Sequence, residues 1–391
     1  MKDNVKLGTL GDIFIGLTYR PEDVANEGTI VLRSSNIQNG KLDFADIVRV
    51  KCKVRENLIV KPNDILMCSR NGSAKLVGKC TLLPKMDEEM SFGAFMTIIR
   101  TQHNPYLVHF FNSNAFRGQL GSAATTTINQ ITRRMLDDIS VPLYPKEQED
   151  YIVSLFNQID ELIWTETQKL ELCDELVKSR FIELFGDPMD NPKGWDKVNI
   201  SAVVGGKVSN GFFAKRDDYC DDGNVKVLGV AHVVNRMYSN TEGLPKTNGT
   251  EADIAKYGVK YGDMLFCRSS LVAAGIGKAS IVPKNVPSNV LFECHVIRLP
   301  LDLTKCVPEF MQVLSTTEYF RSQVIAQSKT ATMTTIGQDG ILKTDIILPP
   351  LEKQKQFLQF VEQTDKSKWV VQQSIAELEE LKKSLMQKYF G

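Results

Sequence analysis

The chain has 391 residues, enough at roughly 150 per domain for two or three domains. Apolar residues make up 42% and charged residues 24%, and 47 Lys and Arg balance 47 Asp and Glu, a composition that excludes a disordered or collagen-like chain. The longest apolar runs, such as Leu271 to Ile276, fall far short of the ~18 residues a membrane span needs. The N-terminus carries Asp3 and Asp12 and no sustained apolar core, so a cytoplasmic protein without a membrane partner is expected.

In chain order, residues 1–144 read as one mixed α and β domain. Strand-like runs fall at Thr29–Leu32, Ile65–Cys68 and Thr97–Ile99, and a short helix is predicted over Asn104–Phe111. Pro145, followed by Glu147 and Glu149, signals a helix start. From there Ile152, Leu155, Ile159, Leu162, Leu170, Cys173, Val177, Phe181 and Leu184 recur in helical steps until Gly186 supplies a stop, predicting one long helix over 145–186. The Pro-, Gly- and Asp-rich stretch 187–194 reads as a linker.

Residues 195–348 repeat the pattern, with strands near Val225–Val230, Met264–Cys267 and Val296–Leu299 and a helix at Pro308–Leu314. A second long helix is predicted over 349–391, starting at Pro350 and carrying Leu358, Val361, Val371, Ile375, Leu378 and Leu385. A lone helix ~55 Å long cannot bury its own stripe, so the two are expected to pack antiparallel and coiled-coil-like. Ile159, Leu162, Leu170, Cys173 and Val177 are expected to face Val371, Ile375, Leu378 and Leu385, with Glu166, Asp365, Lys368 and Lys382 as polar interruptions that fix register.

The two halves are copies. At a shift of 199, Lys61, Asp64, Leu66, Cys68, Ala74, Gly78, Lys79, Pro84 and Lys85 meet identical residues, nine in 25 positions. At a shift of 205, Pro145–Gly186 matches Pro350–Gly391 at twelve of 42, including Trp164 with Trp369 and Phe185-Gly186 with Phe390-Gly391. Thr126-Thr127-Ile128 corresponds to Thr334-Thr335-Ile336 at a shift of 208. The expected fold class is therefore α+β: two similar mixed domains joined by two long antiparallel helices with pseudo-two-fold symmetry. Charge is uneven, at +4 over 1–145, −8 over 146–191, +3 over 192–345 and +1 over 346–391.

Motifs for covalent chemistry are missing. Gly72…Gly78-Lys79 lacks phosphate-loop spacing and reads as a tight turn between strands. No G-x-G-x-x-G opens a helix, no G-x-S-x-G occurs, and the Asn-Pro-Pro-aromatic tetrapeptide of an amino-methylating enzyme is absent. The eight cysteines form no C-x-x-C and are expected to be small buried apolar groups. The four scattered histidines form no H-E-x-x-H, so neither a metal site nor a catalytic residue is expected.

The duplicated unit resembles the specificity subunit of type I restriction–modification systems. The matching residues are Val31-Leu32-Arg33-Ser34-Ser35-Asn36-Ile37, Asn63-Asp64-Ile65-Leu66 and Gly262-Asp263-Met264-Leu265. With them go the helix starts at Pro142–Gln148 and Leu348–Glu352, and the junction Phe181–Pro188 leading to Trp195; the second start departs from the family's Glu-Gln, reading Glu352-Lys353-Gln354. The resemblance implies a non-catalytic reader of double-stranded DNA, each domain recognising one half of a split target. It also implies that the helices act as ruler and dock for two modification subunits, which bind S-adenosylmethionine, and that restriction subunits, which use ATP and Mg, join them. No cofactor is then expected on this chain. Two spaced readers would impose a fixed gap on a duplex whose turn is ~34 Å.

Direct readout needs Arg, Lys, Asn or Gln, with Ser or Thr, at loops that reach base edges. The candidates at strand ends are Arg33, Ser34, Asn36, Arg70, Asn71 and Ser73 in the first copy, and His232, Asn235, Arg236, Arg268, Ser269 and Ser270 in the second. Lys215, Arg216, Lys329 and Thr330 are candidate phosphate contacts. Two other classes of function stay open at this point. One is a stand-alone nuclease or methyltransferase with an unrecognised site, active when purified alone; the other is a protein-binding coiled-coil scaffold with no salt-dependent affinity for DNA.

Overall fold

The computed structural model describes residues 3–120 and 129–391, so Thr126-Thr127-Ile128 lie outside the described residues. The chain divides into two compact units, one formed by Met1–Thr167 with Gln372–Gly391 and the other by Gln168–Val371. Each unit thus holds one globular lobe and a part of each long helix.

In the first unit, Cys80–Leu82, Ile65–Cys68, Met96–Arg100 and Asp12–Ile15 lie side by side in that order, all antiparallel. A second sheet pairs Met90–Phe92 parallel to Thr29–Leu32, then Arg49–Val50 and Val24–Ala25. The central strand is apolar at every position because each of its faces meets a core. Ile65 and Met67 join Tyr106, Phe110 and Phe116, whereas Leu66 and Cys68 join Ile30, Leu32 and Phe92.

The second unit repeats this. Ala279–Ile281, Asp263–Cys267, Val296–Pro300 and Ser209–Asn210 follow the same order, and Val290–Phe292 runs parallel to Val225–Leu228. Met264 and Phe266 face one core and Leu265 the other. The two lobes are one topology, as the repeat requires. Their differences lie in insertions: a short helix at Glu251–Tyr257, capped by Thr250, occurs in the second.

The repeated residues build the strand edges. Asp64 accepts the Lys61 N–H at 2.7 Å and Asp263 the Lys260 N–H at 3.0 Å. Gly78 and Gly277 adopt φ of 82° and 63°, left-handed values that favour glycine, and donate their N–H to the Cys68 and Cys267 carbonyls, both at 2.8 Å. The Gly78 segment is the tight turn its sequence predicts.

The long helices run Lys146–Phe185 and Leu351–Phe390, each beginning directly after its proline. Gly186, at φ 77°, ends the first. In the first unit Asp160 pairs with Lys382, and Phe156 stacks on Phe390 at 5.9 Å. In the second, Asp174 pairs with Lys368, and Phe181 and Phe185 each lie 5.7 Å from Phe357. In both units the partner's number falls as the helix advances, so the packing is antiparallel. The predicted polar interruptions Lys368 and Lys382 are thus cross-helix ion pairs.

The helix ends are seated in lobe cores. Phe181 and Phe185 of the first helix pack on Phe310 from the second lobe, and Tyr389 and Phe390 of the second helix join Tyr106 and Phe110 from the first. Of the predicted stripe, Ile159 and Val177 are buried, while Leu170, Cys173, Val371, Ile375, Leu378 and Leu385 are half-buried. Leu162 differs: it is 50% exposed, because the buried arc runs through Ile159 and the half-buried Ile163. Cys68, Cys80, Cys267 and Cys306 are buried, but Cys52, Cys173, Cys220 and Cys294 only partly so. No described helix is long and apolar enough to cross a membrane.

Candidate nucleic-acid interface

In the first lobe, strand Ile65–Cys68 hands the chain to Ser69 and the short strand Arg70–Asn71, which pairs antiparallel with Asn129–Gln130. The Ser69 and Arg70 N–H groups both donate to the Phe95 carbonyl, at 2.9 and 3.1 Å, pinning this end to the neighbouring turn. The Arg70 guanidinium lies 5.2 Å over the Phe95 ring, which is itself 57% exposed. Asn71 accepts the Ser73 N–H at 3.0 Å and donates to Ser34 Oγ at 3.3 Å. Arg70, Asn71, Ser73 and Ser34 therefore come together on one edge.

Arg33 and Asn36 do other work. Arg33 forms a 2.6 Å ion pair with Asp46. Asn36 is buried, accepts the Arg33 N–H at 2.8 Å and donates to the Asp43 and Asp46 carbonyls, both at 2.9 Å. A side chain with its donors and acceptor satisfied in this way shapes its own loop and presents nothing to a groove.

In the second lobe the same strand end carries Arg268, Ser269 and Ser270. Arg268 donates its N–H to the His295 carbonyl at 2.8 Å and its guanidinium to the Cys294 carbonyl at 3.1 Å. Ser269 Oγ lies 3.1 Å from His295 Nδ1, and Ser270 Oγ accepts the Val272 N–H at 3.3 Å. Ser269–Ser270 pairs with Thr334–Thr335, which pairs in turn with Lys329–Thr330. Lys329 and Thr330 are exposed on this small ribbon, where Thr330 and Thr334 share a 3.0 Å hydroxyl bond.

His232, Asn235 and Arg236 occupy one turn. His232 Nδ1 accepts the Gly229 N–H at 3.1 Å, and burial, aided by the Arg236 charge, holds its pKa below the usual range. It is a neutral acceptor serving its own backbone. Asn235, at φ 59°, accepts from Lys278 at 2.7 Å, while Arg236 donates to the Val234 and Ala231 carbonyls, both at 3.3 Å. Lys215 and Arg216 lie exposed on a turn capped by Asp218, which accepts the Lys215 N–H at 2.7 Å.

Phe95 and His295 are not among the sequence candidates. Each precedes the strand that pairs with the repeated cysteine: Met96 opposes Cys68, and Val296 opposes Cys267. The signal was present, but the frame slips by one residue before this strand, which hides the equivalence in a fixed-shift alignment.

One repeated frame carrying two chemically different polar edges defines a class, the duplicated recognition protein. Residues 192–380 match the family model described as the type I restriction modification DNA specificity domain. Over 98% of its length the chain is 25% identical to the EcoKI specificity subunit of Escherichia coli K12, and 27% identical to the StySPI specificity subunit of Salmonella potsdam, covering 87% of each. The fold resembles the type I S subunit from M. genitalium, with TM-score 0.52 and 11% identity over 100% of this chain and 96% of that one. A solved structure of a type I R-M system chain gives TM-score 0.56 at 17% identity, covering 100% and 97%. The matched residues lie in the second half of the chain and the first half repeats their frame, so the chain is similar to the type I specificity subunits along nearly its whole length.

Proposed function

We propose that this chain is the non-catalytic reader of a type I restriction–modification complex, each lobe recognising one half of a bipartite DNA sequence. The helices set the separation of the halves and dock two modification subunits, which hold S-adenosylmethionine. Restriction subunits, with their ATP and Mg, complete the complex, which acts in the cytoplasm. The observation that carries this reading is the shared frame itself. Residues common to both lobes hold strands and turns, whereas Arg70-Asn71-Gly72-Ser73 stands where the other lobe has Ser269-Ser270-Leu271-Val272. An edge run with no identity, inside a frame that matches at nine of 25 positions, is what two different half-sites require, because base identity is read by the few side chains that reach the groove.

The test is a domain exchange. Residues 1–144 are replaced by the corresponding lobe of another family member, and the methylated sequence is determined in the assembled complex. One half-site is expected to change while the other half and the spacer persist. A change in both halves, or in neither, refutes the assignment.

A further inference from the structure

The reader role leaves open which side chains set the half-sites. The lobe-to-lobe equivalence narrows this to one place, the junction where the repeated cysteine strand meets the turn before its neighbour. In the first lobe the junction holds Arg70 over Phe95, and in the second Ser269 beside His295. The backbone is matched there: Arg268 donates its N–H to the His295 carbonyl as Ser69 does to that of Phe95. Cys68 and Cys267 also direct their thiols at the Arg70 and Ser269 carbonyls, at 3.6 and 3.2 Å. The side chains differ: half-buried Arg70 and exposed Phe95 stand where the other lobe has half-buried Ser269 and exposed His295, and buried Ser69 is matched by Arg268, whose guanidinium is engaged by the Cys294 carbonyl.

Arg70 also differs from three other arginines of the lobe. Arg33, Arg49 and Arg100 are held by Asp46, Glu88 and Asp64, at 2.6, 2.9 and 2.6 Å. Arg70 forms no ion pair among the described residues; what orients it is an aromatic face. A guanidinium resting on a ring keeps its donor fork available, loses little freedom on binding, and matches the paired acceptors O6 and N7 of guanine. A hydroxyl and an imidazole cannot present that fork.

We propose that this junction is the specificity-determining position of each lobe: Arg70, positioned by Phe95, reads a guanine in one half-site, and Ser269 with His295 reads a different base in the other. The inference rests on the bipartite reading above. Its test uses the full chain co-expressed with its modification subunits in a host free of other adenine methylation, with genomic methylation read by single-molecule sequencing. Arg70→Ala relaxes a single G·C position in one half-site, discrimination there falling on the order of ten- to a hundredfold, while the other half stays intact. Arg70→Lys, which keeps the charge and loses the fork, relaxes the same position, and His295→Ala alters only the opposite half.

An unchanged target in Arg70→Ala overturns the proposal. So does an even loss of methylation at all sites that Arg70→Lys restores with the sequence intact, since that marks a phosphate contact. If Arg70→Ala gives no methylated DNA, Arg70→Lys decides: a relaxed position supports the proposal and an unchanged sequence overturns it. A wild-type complex that methylates no two-part sequence would instead remove the underlying reading.

Discussion

Phe390, the penultimate residue, tests whether the far end of the second helix is part of the first lobe's core. Its side chain is 4% exposed, and its ring lies 5.4, 5.8 and 5.9 Å from the rings of Tyr106, Phe110 and Phe156. Next to it, the Tyr389 carbonyl accepts from the Tyr144 hydroxyl at 2.9 Å. Phe390→Ala removes a ring from a site walled by other rings that cannot collapse onto the void, so the loss falls at about 3–5 kcal/mol. A unit of this size loses about 2–4 °C of melting temperature per kcal/mol, so the first unit's transition drops by roughly 6–20 °C. Differential scanning calorimetry of the full chain resolves the two units, and Leu162→Ala, at a half-exposed position, serves as the control expected to move less than about 0.5 kcal/mol. A first transition that stays in place, or a second that falls instead, would show that the helix end is not anchored where the ring contacts put it.

His109 is buried against Phe156, 5.1 Å away, with Asp160 and Lys382 close by, and burial, the largest cause, lowers its pKa from 6.5 to about 4. Between those values the unfolded chain binds a proton that the folded chain refuses, so stability conferred above pH 6.5 is lost as pH falls towards 4. The loss reaches about 3 kcal/mol at 1.36 per unit, and urea titrations of His109→Phe should lack it. Gln354 is fully buried, accepts the Val307 N–H at 2.9 Å and donates to the Pro349 and Lys305 carbonyls at 2.8 and 3.3 Å. Gln354→Glu replaces the donor by a charge facing carbonyls and should destabilise the second unit by about 3–5 kcal/mol at pH 8, less at pH 5 where the carboxyl is protonated. Equal destabilisation at both pH values in chemical denaturation would refute that account.

Much of the fold is legible in the sequence because its strongest signals are local. Thr29–Leu32, Ile65–Cys68 and Asn104–Phe111 are apolar runs bounded by Gly, Asn or Pro, and all three form over the residues the pattern predicts. The two prolines likewise place both long helices. The two-residue strands Lys329–Thr330 and Thr334–Thr335 carry no periodicity and exist because Ser269–Ser270 offers an edge to pair with. Asn36 illustrates a different limit. Its amide suits base readout by type, yet its partners are the carbonyls of Asp43 and Asp46, seven and ten residues away, and no spacing rule reveals that closure.

The repeated Phe-Gly at the two helix ends reads in sequence only as a stop signal. In the structure Phe185 seats among Phe310 and Phe357, and Phe390 among Tyr106 and Phe110. Each helix therefore begins beside the lobe that precedes it in the chain and ends inside the core of the other. That reciprocity bears on function. A lobe whose core includes the far end of the opposite helix is not a bead on a string, since detaching it means extracting two buried aromatic anchors from a close-packed site. Lys368–Asp174 and Lys382–Asp160 add a register preference, although pairs this exposed contribute only about 0–1 kcal/mol each. A spacer defined by such anchors changes with helix length and hardly at all with surface charge. Inserting one heptad at corresponding positions of both helices should therefore lengthen the gap between half-sites and leave both half-sites unaltered, whereas neutralising Lys368 and Lys382 together should change neither. Methylated-sequence determination on the two variants separates an anchored ruler from one held by charge: a gap that shifts when the lysines are neutralised would contradict the anchoring.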